Sequence, residues 1–284
     1  MTEANERIAD TRECIRVVTS NDFLKIDGLC NLKLNSLKLL YFAISQCQKN
    51  DDKFYTCSIT SSELSKLWGI SRQRLHQEYD AIKRDLHNFS TTISKYNAAG
   101  EEREYLLHII SMITTFLDSS KKMTTVEIEI DHNADKYFLN LDGHFSKPLL
   151  CDFNKMKSVN SILIWHLIQI KTFSKKPVNK EIKVKLTDLE LRKLTGNLEK
   201  YSTSYEFKRR VIDKALKDIK KCCNVTISCA SIKTGRHTVG YEFILKNPYF
   251  IPDKELSLRA KEAIKRADKI KNDKLVDIWF LNCG

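Results

Sequence analysis

Glycine and proline are scarce, at 8 and 4 residues in a chain of 284. That excludes a low-complexity linker or a collagen-like chain, and predicts regular secondary structure over most of the length. No apolar run approaches the roughly 18 residues that a membrane-spanning helix needs. The opening MTEANERIADTRE is polar and acidic, without the basic start and apolar stretch of a secretory signal. A cytoplasmic protein that does not engage membranes is therefore expected. Cysteine is present nine times, but not in any spacing that would give it chemistry. Cys14, Cys30, Cys47, Cys57, Cys151, Cys229 and Cys283 stand singly and Cys222–Cys223 are adjacent, with no C-x-x-C pair and no zinc-finger grouping. An odd total also argues against a closed disulfide framework, so the thiols read as small apolar residues of a reducing compartment.

Enzyme signatures are missing as well. No G-x-x-x-x-G-K-[ST] loop is present to cradle phosphates, which excludes the usual ATPase or helicase. The seven histidines are never two apart, so the His-x-His metal pair of a DNA-nicking enzyme is absent. Asp131-His132 and the acids of VEIEID read as the solvent face of a strand, and His166 reads as a hydrogen-bonded core residue of an apolar helix. Aromatic residues show no stacking pattern for single-stranded nucleic acid. The sequence offers no catalytic group, no metal site and no need for a cofactor, so a non-enzymatic protein is expected.

What remains is charge and repetition. The formal net charge is +12, which attracts polyanions and puts nucleic acid first among partners. LNSLKLLYFAISQC (34–47) and VNSILIWHLIQIK (159–171) both open with Asn-Ser and continue as apolar helices. Asn35 to Leu64 and Asn160 to Leu189 are each 29 residues, which suggests one register for both copies. ITSSELSKLWGIS (59–71) and KLTDLELRKLTGN (185–197) each read as a capped short helix stopped by glycine, Gly69 or Gly196. A longer helix follows each glycine. Alternating segments come next: STTISKY (90–96), EYLLHIISMITTF (104–116) and TTVEIEID (124–131), with turns at Asn97–Gly100 and Asp118–Lys122, in the first copy. NVTISCASI (224–232) and HTVGYEFIL (237–245) flank a tight turn in the second. The expected fold is α+β, two tandem winged helix-turn-helix domains related by internal duplication. The boundary is expected near 145–157, read as irregular chain, giving domains 1–147 and 148–251 and a basic helical tail over 252–284.

The long helices place the candidate DNA-binding residues. At 3.6 residues per turn, Leu75, Tyr79, Ile82, Leu86 and Phe89 form a buried stripe. Gln73, Gln77 and Arg84 point away from it, with Arg74 at its flank. In YEFKRRVIDKALKDIKK (205–221), Phe207, Val211, Ile212, Ala215, Leu216 and Ile219 form the stripe. Arg209, Arg210 and Lys217 lie opposite or beside it, and Lys208 is expected to snorkel out along its edge. Cations in a first helical turn oppose the helix dipole, so an external anion is the natural compensation. Arg and Gln suit base edges in a major groove, while Lys233, Arg236 and His237 in the second hairpin turn suit phosphate.

NSLKLLYFAISQ, ITSSELSKLWGIS and YSTSYEFKRRVIDKALKDI followed by IKTGRHTVGYEFIL together resemble the Rep_3 (RepB/RepA-like) plasmid replication initiators, over about residues 15–250. The resemblance implies two winged helices that bind double-stranded origin repeats (iterons) and recruit host initiator and helicase-loading proteins. It implies base contacts at Lys208, Arg209 and Arg210 and backbone contacts along 233–237. It also implies a homodimer in equilibrium with monomer, the dimer repressing its own promoter. A winged-helix transcriptional repressor and a nicking Rep nuclease are the alternatives.

Overall fold

The computed structural model of the protein describes residues 16–47, 56–96, 100–141, 145–173, 175, 181–223 and 225–246. The acidic N-terminus, the turn residues 97–99 and the tail over 252–284 lie outside the described residues.

Each half carries the same series of helix, strand, short helix, long helix and hairpin, and the first adds a further two-stranded ribbon before its hairpin. In the first, β1 (Thr19–Ser20) precedes α1 (Leu34–Ser45), β2 (Cys57–Thr60), α2 (Ser61–Trp68) and α3 (Arg72–His87). Strands β3 (Ser90–Tyr96), β4 (Glu102–His108), β5 (Ile110–Leu117) and β6 (Met123–Ile130) follow, then a helical turn α4 (Asp135–Phe138) and β7 (Phe145–Ser146). The second half has α5 (Leu150–Lys155), α6 (Val159–Thr172), β8 (Glu181–Thr187) and α7 (Asp188–Leu194). Helix α8 (Ser204–Phe207) then runs through a π-helical stretch, Lys208–Ile212, into α9 (Asp213–Cys222). Strands β9 (Thr226–Thr234) and β10 (His237–Lys246) close it. The antiparallel sheets are ordered β2-β6-β5 and β8-β10-β9, one topology in both halves.

Local chemistry fixes the paired turns. Thr60 and Glu63 form a reciprocal capping box, the Thr60 hydroxyl accepting from Glu63 N at 3.2 Å and the Glu63 carboxylate from Thr60 N at 2.9 Å. Thr187 caps α7 by accepting from Glu190 N at 3.0 Å. Both helices end alike, with Ile70 N donating to Ser65 O and Gly69 N to Lys66 O, and with Asn197 N donating to Arg192 O and Gly196 N to Lys193 O. Gly196 has φ +65°, and a Cβ there would sit 2.8 Å from Cys30 Sγ of the first half. Glycine is required on both counts.

The caps correct the register read from sequence. Thr60 and Thr187 hold one position, so Leu64 corresponds to Leu191, and both are fully buried. Leu189 is 67% exposed, and the equal 29-residue spacing was a coincidence of a leucine-rich helix. The span 104–116 is also not one strand. It breaks at buried Ile109, whose carbonyl accepts from Asp131 N at 3.0 Å. Residues before the break pair with β3 as a separate ribbon, and residues after it pair with β6. The strands before each short helix, β2 and β8, were not expected. Lastly, 145–157 is regular: β7 pairs with β1, Val17 N donates to Pro148 O at 2.8 Å, and α5 follows. Its chain groups are satisfied by the N-terminal segment, a partner too distant in sequence to be foreseen.

That junction is part of one core. Buried side chains of both halves form a continuous cluster, with α1 and α6 near its centre. His166 on α6 is completely buried, Tyr41 Oη lies 2.7 Å from its Nδ1, and Ser146 Oγ and Thr19 Oγ1 lie 3.0 and 3.2 Å from its Nε2. Both ring nitrogens are satisfied by neutral hydroxyls, and burial lowers the imidazole pKa to about 3. Nearby, Lys38 of α1 donates to the Asn154 carbonyl at 2.7 Å, and burial lowers its pKa to about 8, against the pull of Asp218. Asp152 accepts from Trp165 Nε1 at 2.9 Å, and burial raises its pKa to about 6.

The His166 site makes a prediction about acid stability. Its folded pKa lies below its unfolded value of 6.5, so the unfolded chain binds the extra proton. The contribution is fully present above pH 6.5 and is lost progressively as pH falls toward 3. His166→Gln, which keeps hydrogen bonding without a titrating ring, should show a shallower fall in melting temperature between pH 6.5 and 4.5 than the parent protein. Parallel curves would remove His166 as the acid-sensitive group.

Candidate nucleic-acid interface

Helices α3 and α8–α9 are each entered through a capped turn: Ser71 accepts from Arg74 N, and Thr203 from Glu206 N, each at 3.2 Å. The expected stripes are buried in full, Leu75, Tyr79, Ile82 and Leu86 in one helix with Phe89 just past its end, and Phe207, Val211, Ile212, Ala215, Leu216 and Ile219 in the other. Their opposite faces are free of the core.

On α3, Gln73, Arg74, Gln77 and Arg84 are all exposed. Arg74 Nε pairs with Glu78 Oε1 at 2.7 Å, and Arg84 Nε donates to the Asp80 carbonyl at 3.3 Å. The Arg74 and Asn35 hydrogen bonds hold the Glu78 carboxyl below the usual carboxylate range, the Arg74 bond being the larger cause. A groove of about 930 Å³ separates α3 from the β5–β6 turn and is lined by Gln73 and Gln77 together with Arg72, His76, Asp118 and Lys122. Arg72, His76 and Lys122 were passed over in the sequence. Their signal was position alone, next to the Ser71 cap or within the hairpin turn.

The start of the second long helix differs from an ordinary α-helix. Asp213 N donates to Lys208 O, the wider spacing of a π turn. Residues five apart face about 140° away from each other on an α-helix. The π turn reduces that angle, and Lys208 Nζ meets Asp213 Oδ1 at 2.7 Å. Lys208 therefore folds back, half-buried, where the sequence suggested a side chain extended along the stripe's edge. Arg209 and Arg210 remain exposed. Arg209 lies over the Tyr205 ring at 5.9 Å, and Arg210 lies 6.0 Å from the Tyr201 ring and 3.4 Å from Glu206 Oε1. These are weak surface contacts that an incoming anion can displace. Lys217 is exposed further along α9.

The hairpin tip carries Lys233, Arg236 and His237, all exposed around the two-residue turn Gly235–Arg236. The structure groups the candidates as a first-half set on α3 and a second-half set on α8–α9 and the hairpin.

A clasp that the sequence reading missed orients the second set. Arg192 is nearly enclosed: Nε meets Asp188 Oδ2 at 2.6 Å, and Nη1 donates to the carbonyls of Asn197, Lys200 and Tyr201 at 3.3, 2.7 and 3.1 Å. Its guanidinium also lies 4.5 Å from the Phe207 ring. Tyr241 Oη lies 2.9 Å from Asp188 Oδ1 and 3.2 Å from Ser204 O. Together they fix the 195–203 loop, and with it the entry to α8. The only sequence signal was the i, i+4 spacing of Asp188 and Arg192. Among the described residues, no three His, Cys, Asp or Glu side chains gather as a metal site, and no helix is long and apolar enough to cross a membrane.

A family model described as initiator replication protein, WH1, matches residues 16–169, and a second, initiator Rep protein, WH2, matches residues 189–245. The chain belongs to the Rep3 family of plasmid replication initiators. The crystal structure of Pi initiator protein in complex with iteron DNA is similar at 18% identity, covering 82% of this chain and 98% of that one with a TM-score of 0.66. At that identity the likeness speaks to the fold, two winged helices in tandem. The crystal structure of a WH1 domain, from a replication protein isolated from a multiple sclerosis patient, is 15% identical. It covers 40% of this chain and 86% of that one with a TM-score of 0.31. No curated protein matches the chain.

The initiator's Arg192 clasp is directly testable. Arg192→Met keeps the stem but takes the counter-ion from Asp188 and the guanidinium donor from three carbonyls, and should lower unfolding free energy by about 3 kcal/mol in urea titrations. Arg192→Lys should recover only part of it, because an ammonium cannot reproduce the guanidinium fork. Full recovery by Lys would reduce the clasp to simple charge neutralisation.

Proposed function

We propose that the protein binds directly repeated origin DNA, the iterons, as double strands, and that it works without catalysis. The observation that carries this reading is the exposed pair Arg209 and Arg210 at the start of a recognition-type helix, in a chain of the initiator family. The hairpin tip with Lys233, Arg236 and His237 supports a phosphate contact beside it, and the similar fold of an initiator crystallised with iteron DNA supports the ligand. In this reading the second domain (148–251) reads bases, Arg209 and Arg210 leading, with Lys208 steadied by Asp213 and Lys217 on phosphate. The first domain (1–147) adds Gln73, Arg74, Gln77 and Arg84, mainly as backbone contacts, and also forms the dimer. Exposed Leu106, Met112, Phe116 and Leu117 on β4 and β5 support that second role. Bound monomers on direct repeats recruit host initiator and helicase-loading proteins, and a two-fold dimer on an inverted repeat represses the promoter.

A competition titration against every single-base variant of one repeat tests the base-reading residues. Arg209→Ala or Arg210→Ala should lower specific affinity by roughly 5- to 150-fold and flatten preference at one base position, with non-specific binding unchanged. Uniform weakening across all variants would reassign both cations to phosphate. Arg236→Ala should instead weaken every sequence alike and reduce the slope of log K against log salt by about 0.9. An unchanged slope would remove the hairpin from the interface.

A further inference from the structure

The three cations that open the second long helix are not used alike. Arg209 and Arg210 are exposed, while the Lys208 ammonium turns back onto Asp213 Oδ1 at 2.7 Å. That pair is neutral as a unit, so two cations rather than three face outward at this helix start. An ion pair with side chains 25% and 40% exposed adds little to global stability. Its geometry says more than its strength. Lys208 and Asp213 are five apart, and the backbone closes the same five-residue step, with Asp213 N donating to Lys208 O. On an α-helix a residue five ahead points about 140° away. The pair therefore forms only in the π register, and forming it favours that register.

The register sets where the arginines point. A π turn holds one residue more than an α turn. Downstream the helix is anchored by buried Ala215, Leu216 and Ile219, and upstream by the Thr203 cap and buried Phe207. A reversion to α between these anchors would rotate the segment by up to about 100° and carry a side-chain tip roughly 8 Å around the helix. A hydrogen bond to a base edge tolerates only about 0.5 Å. Arg209 and Arg210 lie within that segment, beside the Tyr205 and Tyr201 rings. The pair also adjoins the hairpin. Burial raises the Cys229 thiol on β9 to about 12, and the charges that act on it are Lys208 and Asp213. Strand β9 leads on to Lys233 near the hairpin tip.

We propose that Asp213 is a positioning residue for base reading: by holding Lys208 it keeps the π turn and with it the direction of Arg209 and Arg210, and Lys208 itself does not touch DNA. The inference rests on the iteron reading for what the arginines contact, and goes beyond it in making an acidic residue necessary for recognition of a polyanion.

Amide hydrogen exchange on the free full chain reads the turn without DNA. Asp213→Asn, which keeps the side chain's shape, and Lys208→Met should each speed exchange across 208–213 by at least about fivefold. Reversing the pair, with Lys208→Asp and Asp213→Lys together, should restore protection. Unchanged exchange in both single variants would assign the turn to buried Val211 and Ile212 alone and overturn the proposal. In competition titrations against single-base variants of one repeat, Asp213→Asn should lower discrimination at least about fivefold, at the positions that Arg209→Ala and Arg210→Ala flatten. Charge alone predicts the opposite sign, since removing an acid beside DNA tightens binding to every sequence, and that result would overturn the proposal. A fall of about 0.9 in the salt slope of Lys208→Met would do so too, because Lys208 would then be a phosphate contact. A parent protein without preference among the variants would end the iteron reading instead, and hydrogen exchange would still decide whether the pair holds the turn.

Discussion

A neutral imidazole at the centre of the domain junction is the constraint from which the arrangement follows. His166 can remain buried only while Tyr41, Ser146 and Thr19 surround it. Those partners come from α1, β7 and β1, so satisfying one ring requires the N-terminal segment, the first domain's leading helix and the linker to be in place together. A charged imidazole has no counter-ion among these three hydroxyls, which is why burial holds its pKa so low. The Val17–Pro148 backbone bond and the Lys38–Asn154 contact close the same seam from either side. Two winged helices that could have been beads on a string instead share a core.

The two halves use one scaffold for different ends. Matching threonine caps and matching glycine-stopped turns give each a helix-turn-helix of the same build. What differs is the entry to the long helix. In the first half, Ser71 follows the glycine by two residues and α3 is regular from its start. In the second, a longer loop is gathered by Arg192, and a π turn follows the cap. That turn pulls Lys208 back onto Asp213 and leaves adjacent arginines exposed beside aromatic rings. Weak cation–π and carboxylate contacts hold those arginines in ordered positions without removing them from competition for a stronger anion.

Much of this was legible in the chain. Apolar periodicity placed the long helices and every residue of their buried stripes, because those positions follow from helix geometry alone. Cap residues and glycines placed the turns, and alternation placed most of the hairpins. The exposure of Gln73, Arg74, Gln77, Arg84, Arg209, Arg210, Lys217, Lys233, Arg236 and His237 followed from the same geometry. Duplication was visible as well, although the leucine spacing that suggested it paired Leu64 with exposed Leu189 rather than buried Leu191.

Sequence by itself thus determined the elements, the duplicated winged-helix class and the two sets of exposed cations, all of which depend on neighbours within a few residues. Only the tertiary structure decided which cations are committed internally, as Lys208 is to Asp213 and Arg192 to its loop. It also decided that an apparent single strand divides at Ile109, and that 145–157 is ordered by residues from the start of the chain. It set the Lys38 ammonium on the Asn154 carbonyl, 116 residues further along the chain. The physical reason is common to all of these. A buried polar group takes whichever partner the packed chain brings within hydrogen-bonding distance, and no periodicity in the sequence encodes that encounter.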